Sequence, residues 1–256
     1  MRRFARSRAR ALRYACVAVV LALVAGCAGG MPKVPATPAA VLERADDYLR
    51  RGKEREAIAL YSQFLERYPG HERADYAQYQ LAEANFATED YPVAAVEYQI
   101  LITNYGYSEW VDDAVFQIGV CNWREAPRYP RDQQKSIEAL SRFNQFLLTY
   151  PDHPRAGEAR AYVRQINERL AEKAYTAAKW YYRQREPKAA LVYCEKIIRD
   201  YPDNMYWAEA LLLKGQILED RGDKEGAIQQ YTQILAYPGD LPEKKTAEQR
   251  IQGARK

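Results

Sequence analysis

The sequence predicts an all-α fold, a right-handed α-solenoid of five irregular helix hairpins, and three observations carry that prediction. The first is a recurring pattern, Ala-x-x-x-aromatic with proline eight residues further on. It occurs as Ala57, Tyr61, Pro69; Ala94, Tyr98, Gly106; Ala139, Phe143, Pro151; Ala190, Cys194, Pro202; and, one residue shorter, Ala227, Tyr231, Pro238. The second is another small residue twelve positions before the alanine in four copies: Ala45, Ala82, Ala178 and Gly215. The third is a turn signal between the two, at Arg51-Gly52, Glu89-Asp90-Tyr91-Pro92, Glu186-Pro187 and Arg221-Gly222-Asp223. Self-similarity at such a period marks a stacked array, in which no single unit buries its apolar face alone.

Each marker has a physical cause. The small residues let two antiparallel helices, A and B, approach closely, and the aromatic four positions after the alanine lies on the same face of helix B. The Tyr-Pro step ends helix B, because proline cannot donate its amide and disfavours helix in the residue before it. Pro92 and Pro187 suit the first turn of helix B, where a missing donor costs nothing.

In chain order, residues 1–26 form a leader. It carries arginines at 2, 3, 6, 8, 10 and 13, no acid, and an apolar run from Tyr14 to Ala25. That is a secretory signal peptide, too short for the ~20 residues of a spanning helix. It ends in Leu23-Val24-Ala25-Gly26-Cys27-Ala28, which resembles the lipobox of a bacterial lipoprotein. The resemblance implies cleavage after Gly26 and acylation of Cys27; with Ala28 in place of Asp, it also implies sorting to the periplasmic face of the outer membrane. More than one acyl chain gives stable anchoring where a single chain would not. Residues 27–40 read as a tether: Gly29 to Pro38 holds three prolines and no hydrophobic period. About ten such residues at ~3.1 to 3.3 Å each reach roughly 30 Å from a bilayer.

Residues 41–238 hold the five repeats, about 41–70, 71–107, 108–152, 153–203 and 204–238, with alanine spacings of 37, 45, 51 and 37. Repeat three carries eight extra residues around Glu125-Ala-Pro-Arg-Tyr-Pro-Arg-Asp132, whose two prolines make a protruding loop. Fourteen extra residues precede the alanine of repeat four, and no glycine or proline occurs from Glu158 to Glu186. They read as an extension of helix A to about 30 residues and ~45 Å, with a break near Asn167 as the alternative. Residues 239–256 are polar and charged and read as a C-terminal helix with a frayed end that caps the last repeat.

Composition excludes several functions. The chain has 38 basic and 34 acidic residues, but six of the basic ones lie in the leader, leaving 32 against 34 and a net charge near −2. No nucleic-acid patch is expected from that balance. Cys121 and Cys194 sit at apolar helical phase without a Cys-x-x-Cys pair, and read as small buried hydrophobes. No metal or cofactor is expected. The two histidines, His71 and His153, occupy the same repeat position, where other repeats have Ser108 and Asn204, so they read as helix-start residues, not as a ligand pair. Asp112-Asp113 and Asp46-Asp47 point about 100° apart on a helix and read as solvated or helix-start acids. A nucleophile with its base, a phosphate loop and a metalloprotease motif are all missing, so no enzyme is expected.

The repeat marker is similar to the second half of a tetratricopeptide repeat. The lipobox, the tether, five irregular repeats, Ala126-Pro-Arg-Tyr-Pro-Arg-Asp-Gln133 before a helix, and Leu170-Ala-Glu-Lys-Ala-Tyr175 leading to Trp180-Tyr-Tyr-Arg183 together resemble the BamD family. That family supplies the lipoprotein component of the machine that assembles outer-membrane β-barrels. The resemblance, over Cys27 to Tyr237, implies a non-enzymatic scaffold. It implies docking of a BamA-type barrel protein through repeats four and five, reception of unfolded outer-membrane proteins, and company from other lipoproteins of that machine. One departure is that many members carry an arginine in helix B of repeat four where this chain has Tyr193. A different repeat lipoprotein, a pilus-secretin pilotin or cell-envelope coordinator, would share anchor and repeats without the Pro-Arg-Tyr loop and the long helix.

Counting from the small positions of helix A, the groove-facing residues are Leu42, Asp46 and Leu49 in repeat one and Tyr76, Tyr79, Glu83 and Phe86 in repeat two. Repeat three, counted from Gly119, adds Asp113, Phe116, Val120 and Trp123. Such a groove suits an extended, aromatic-rich peptide, because rings supply large contact area at low entropy cost. The alternative is that these rings pack between repeats as core.

Overall fold

A computed structural model describes residues 37–127 and 131–255. The leader, the acylation signal at Cys27 and most of the tether lie outside the described residues, as does the tip of the repeat-three loop. Among the described residues there are eleven helices and no strand. They are α1 Pro38–Arg50, α2 Glu54–Arg67, α3 Ala74–Ala87, α4 Tyr91–Asn104, α5 Val111–Glu125, α6 Gln134–Thr149, α7 Ala156–Arg183, α8 Pro187–Asp200, α9 Tyr206–Asp220, α10 Lys224–Ala236 and α11 Glu243–Ala254. No described helix is long and apolar enough to cross a membrane.

These helices form two compact units, divided between Ala77 and Gln78. The first holds the α1–α2 hairpin and the first turn of α3. In the second, the hairpins α5–α6, α7–α8 and α9–α10 follow α3–α4, and α11 packs on α10 and α9. Its core runs as three consecutive apolar clusters along the hairpins.

The marker residues make the hairpins close. Ala45, Ala82 and Ala178 on the A helices and Ala57, Ala94, Ala139, Ala190 and Ala227 on the B helices are all fully buried. Two glycines show how little room is left. A Cβ on Gly215 would lie 2.3 Å from Cε1 of Tyr231, and one on Gly119 would lie 2.9 Å from Cε1 of Phe143. The helix B aromatic therefore rests directly on the small residue of helix A.

The A–B turns repeat as faithfully. Gly52, Glu89, Arg185 and Gly222 stand five residues before the marker alanine and have φ of +65°, +62°, +62° and +83°. The next residue's N–H then donates back into the helix: Lys53 to Tyr48, Asp90 to Asn85, Glu186 to Tyr181 and Asp223 to Leu218, at 2.9 to 3.0 Å. This is the Schellman closure of a helix C-terminus. Two repeats use glycine there, and the other two hold a side chain in the left-handed region.

The long helix is continuous for 28 residues, through Asn167, and Ile166, Leu170, Ala174 and Ala178 keep its apolar face in register. The loop of repeat three is tied at its base: Gln133, almost fully buried, donates through Nε2 to the carbonyls of Pro127 and Arg131 at 3.0 and 3.1 Å. Cys121 and Cys194 are unpaired and fully buried. Burial pushes both thiols up from 9.0 to about 12.

Two outcomes follow. Glu89→Gly and Arg185→Gly should each stabilise the chain by about 0.5–1 kcal/mol in urea unfolding, whereas Gly215→Ala, which drives a methyl into the Tyr231 ring, should cost about 1–3 kcal/mol. Because the folded thiols are raised above their unfolded values, their contribution is complete below pH 9.0 and is lost as pH rises toward about 12. The urea midpoint should fall over that window, less steeply in a Cys121→Ala, Cys194→Ala double variant.

Candidate functional site

Four equivalent residues start the A helices and accept the N–H two positions on. His71 Nδ1 accepts from Arg73 at 3.1 Å, Ser108 Oγ from Trp110 at 3.3 Å, His153 Nδ1 from Arg155 at 3.1 Å and Asn204 Oδ1 from Tyr206 at 2.9 Å. Both imidazoles also meet a helix B phenylalanine edge-on, Phe64 and Phe146, at 5.2 Å. The histidines thus perform the backbone task that serine and asparagine perform in the other repeats.

Asp112, Asp113 and His153 place one ligand atom each within 4.8 Å of one another. Because Nδ1 of His153 accepts a backbone N–H, the neutral ring carries its proton on Nε2, which faces Asp112 at 3.4 Å. Arg155 lies 3.5 Å from Asp113. A proton and a guanidinium already stand where a cation would bind. The two acids, expected as solvated or helix-start groups, lie in the first turn of α5 and reach across to the start of α7.

The residues two positions after these helix starts complete the stacking. Trp110 stacks on Tyr79 of the preceding repeat, with centroids 4.8 Å apart and planes at 21°. The Arg155 guanidinium lies 3.7 Å over the Phe116 ring, and Tyr206 meets Tyr175 at 5.5 Å. Tyr79, Phe116 and Tyr175 each sit three residues before the small position of helix A. Three of the expected groove residues therefore belong elsewhere: Phe116 and Leu42 are fully buried, and Tyr79 is 9 % exposed. For Tyr79 and Phe116 the cause is the cover supplied by the next repeat. Val120, 4 % exposed, also joins the core.

What remains accessible is a narrower stripe, one and four residues after the small position. In the first unit it consists of half-buried Asp46 and Leu49, with Tyr76 alongside under the Arg73 guanidinium, 4.5 Å from its ring. In the second it consists of Glu83, Phe86 and Trp123, and the Arg169 guanidinium lies 3.7 Å over the Trp123 ring. Beside Trp123 opens a cleft of about 550 Å³ shared with Arg124, Glu158, Tyr162, Gln165 and Arg169. A second of similar size, between α7, α9 and α11, is lined by Tyr175, Lys179, Glu209 and Arg250. Burial, then the Glu209 carboxylate, pushes the Tyr175 hydroxyl up to about 12.

The carboxylates of the stripe are engaged from below. Tyr61 donates to Asp46 Oδ1 at 2.6 Å, and Tyr76 donates to the same oxygen at 3.1 Å. Tyr98 donates to Glu83 Oε1 in a short hydrogen bond, joined by Gln117 Nε2 at 3.0 Å. Burial first and these carboxylates second hold the Tyr61 and Tyr98 hydroxyls protonated far above the usual tyrosine range. The pairing follows the sequence: where helix B carries Phe143, the corresponding helix A residue is Val120. Sequence phase found the carboxylates but missed the arginines over the rings, because Arg155 and Arg169 come from the next hairpin. The recurrence of Arg73, Trp110, Arg155 and Tyr206 two residues after each helix start was the available signal.

The family model and the curated relatives agree on one family. Residues 35–233 match the family model described as YfiO: Outer membrane lipoprotein. The chain is 24% identical over 224 residues to the outer membrane protein assembly factor BamD of Haemophilus influenzae, covering 83% of this chain and 86% of that protein. It is 24% identical over 236 residues to the BamD of Caulobacter vibrioides, covering 87% and 75%. A solved TPR repeats protein from Bacteroides fragilis is similar at a TM-score of 0.48 and 11% identity, over 86% of this chain and 99% of that one.

Removing the Glu83 carboxylate strands two buried donors. Glu83→Ala should cost about 1.5–3 kcal/mol in urea unfolding, and a double-mutant cycle with Tyr98→Phe should return a coupling of at least ~1 kcal/mol.

Proposed function

The chain belongs to the YfiO family of outer membrane lipoproteins, and from that membership we propose that it is a scaffold in outer-membrane protein assembly, held to the periplasmic face of the outer membrane through acylated Cys27. The observation that carries this reading is the family match across residues 35–233, joined by the assembly factors BamD among its relatives.

In this reading the chain does no chemistry of its own. It holds other polypeptides on stacked helix hairpins. Repeats four and five dock a BamA-type barrel protein. Tyr193, where many members carry arginine, stacks on Tyr181 with centroids 5.5 Å apart and planes at 15°, so the arginine contact does not carry over to this chain. Accessible A-helix positions receive extended segments of an unfolded outer-membrane protein, Asp46, Leu49 and Tyr76 in the first unit and, separately, Glu83, Phe86 and Trp123 in the second. The rings offer contact area, and the Arg73 and Arg169 guanidiniums over Tyr76 and Trp123 offset part of the negative charge of Asp46 and Glu83.

Affinity purification of the tagged full chain from detergent-solubilised membranes tests the assignment. An Omp85-type barrel protein should co-purify in stoichiometric amount. Recovery of a secretin or a peptidoglycan synthase in its place would contradict it.

A further inference from the structure

The A–B turns of repeats four and five lie close together, because α7 and α8 both pack against α9. Between them opens a cleft of about 430 Å³ lined by three arginines: Arg183 at the end of α7, Arg185 in the turn that follows, and Arg221 just past the end of α9. All three are exposed, and none of their guanidiniums makes a hydrogen bond or ion pair among the described residues. Of the residues lining the cleft, Asp220 alone is acidic. It accepts the Tyr182 hydroxyl at 2.5 Å and pairs with none of the arginines. Three guanidiniums against one carboxylate give the cleft a net charge of +2.

Neighbouring charges do not cancel that excess. Glu186 and Lys188, next along the chain, lie outside the lining and offset each other. The adjoining cleft between α7, α9 and α11 shares Tyr182 and Arg183, and there Glu209 and Glu243 balance Lys179 and Arg250. Elsewhere in the unit Arg155, Arg199 and Arg250 each have a carboxylate partner. Arg185 also carries backbone strain. Its φ of +62° falls at a turn position that repeats one and five fill with Gly52 and Gly222. A side chain there costs free energy that glycine avoids, and such strain is concentrated where the side chain has a task.

We propose that this cleft is an oxyanion site that binds a phosphate group. A phosphate presents more oxygens than a carboxylate, enough to engage all three planar guanidinium forks, and a dianion matches the net charge of +2. Inorganic phosphate and a phospholipid headgroup share this chemistry. A headgroup holds repeats four and five against a membrane surface, and a free ion does not. The cleft shares no residue with the accessible positions of the A helices described above and does not depend on what they receive.

Isothermal titration calorimetry on the full chain in non-ionic detergent tests the site, with inorganic phosphate in one arm and short-chain phosphatidylglycerol below its micelle concentration in the other. Saturable binding is expected in one arm at least: lipid alone assigns the cleft to a headgroup, phosphate alone to the free ion, and both to the shared group. Two variants report on the cleft. Arg183→Gln with Arg221→Gln removes two forks, and Arg185→Gly removes the third while raising the urea midpoint by relieving the left-handed strain. Each should weaken binding about tenfold or more. Weaker binding together with higher stability is a result that damage to the fold does not give. Arg55→Gln with Arg67→Gln, the same charge change on exposed residues of the first unit, should leave the affinity unchanged. The inference is overturned if neither ligand binds, if the cleft variants bind as tightly as the wild type, or if the first-unit variant weakens binding as much. It is overturned as well if a glutamate-rich peptide binds the cleft more tightly than either phosphate ligand, which makes it a contact for an acidic protein segment.

Discussion

The seating of a helix B aromatic on a small residue of helix A is the contact on which the rest of the structure depends. It sets the distance between the two helices of a hairpin, and there is no slack in it: the Tyr231 ring occupies the space a methyl on Gly215 would need, and Phe143 does the same at Gly119. Interiors packed at crystal density transmit such constraints to their neighbours. With the hairpin closed, the residue three positions before the small one is presented at the hairpin's flank. There the next hairpin covers it, with Trp110 on Tyr79, Arg155 on Phe116 and Tyr206 on Tyr175. The first contact closes the α5–α6 and α9–α10 hairpins, and the second joins α3–α4, α5–α6 and α7–α8 each to the hairpin that follows.

The same arrangement decides what is left for function. At Tyr61 and Tyr98 the seating tyrosine brings a hydroxyl into the core, where it finds an acceptor. Asp46 and Glu83 supply it for Tyr61 and Tyr98. These acids therefore have a structural duty on one side and a half-buried surface on the other. The stripe beside them is aromatic, weakly charged and held by secondary structure, as a surface for chains of varied sequence should be.

Much of this was legible in the residues. Period, hairpins, the turn glycines and the unbroken α7 all follow from markers whose physics is local. The helix-start role of His71 and His153 could be read because Ser108 and Asn204 stand at the same place. Which rings face solvent could not be read from the phase of one helix. Tyr79 and Phe86 share a face of α3, yet one is covered by Trp110 and the other is half-buried, and the difference comes from a residue in the next hairpin. Leu42 was lost to the core as well.

The accessible positions of the A helices, and not the hairpin surface at large, are proposed to hold an unfolded outer-membrane polypeptide. Site-specific photo-crosslinking addresses it directly, with the photoreactive residue placed in turn at Phe86, at Trp123 and at Tyr107, which is 85% exposed in a turn away from the stripe. Crosslinks to an unfolded β-barrel polypeptide are expected from Phe86 and Trp123 and not from Tyr107. Equal yields from all three, or adducts from Tyr107 alone, would contradict the account.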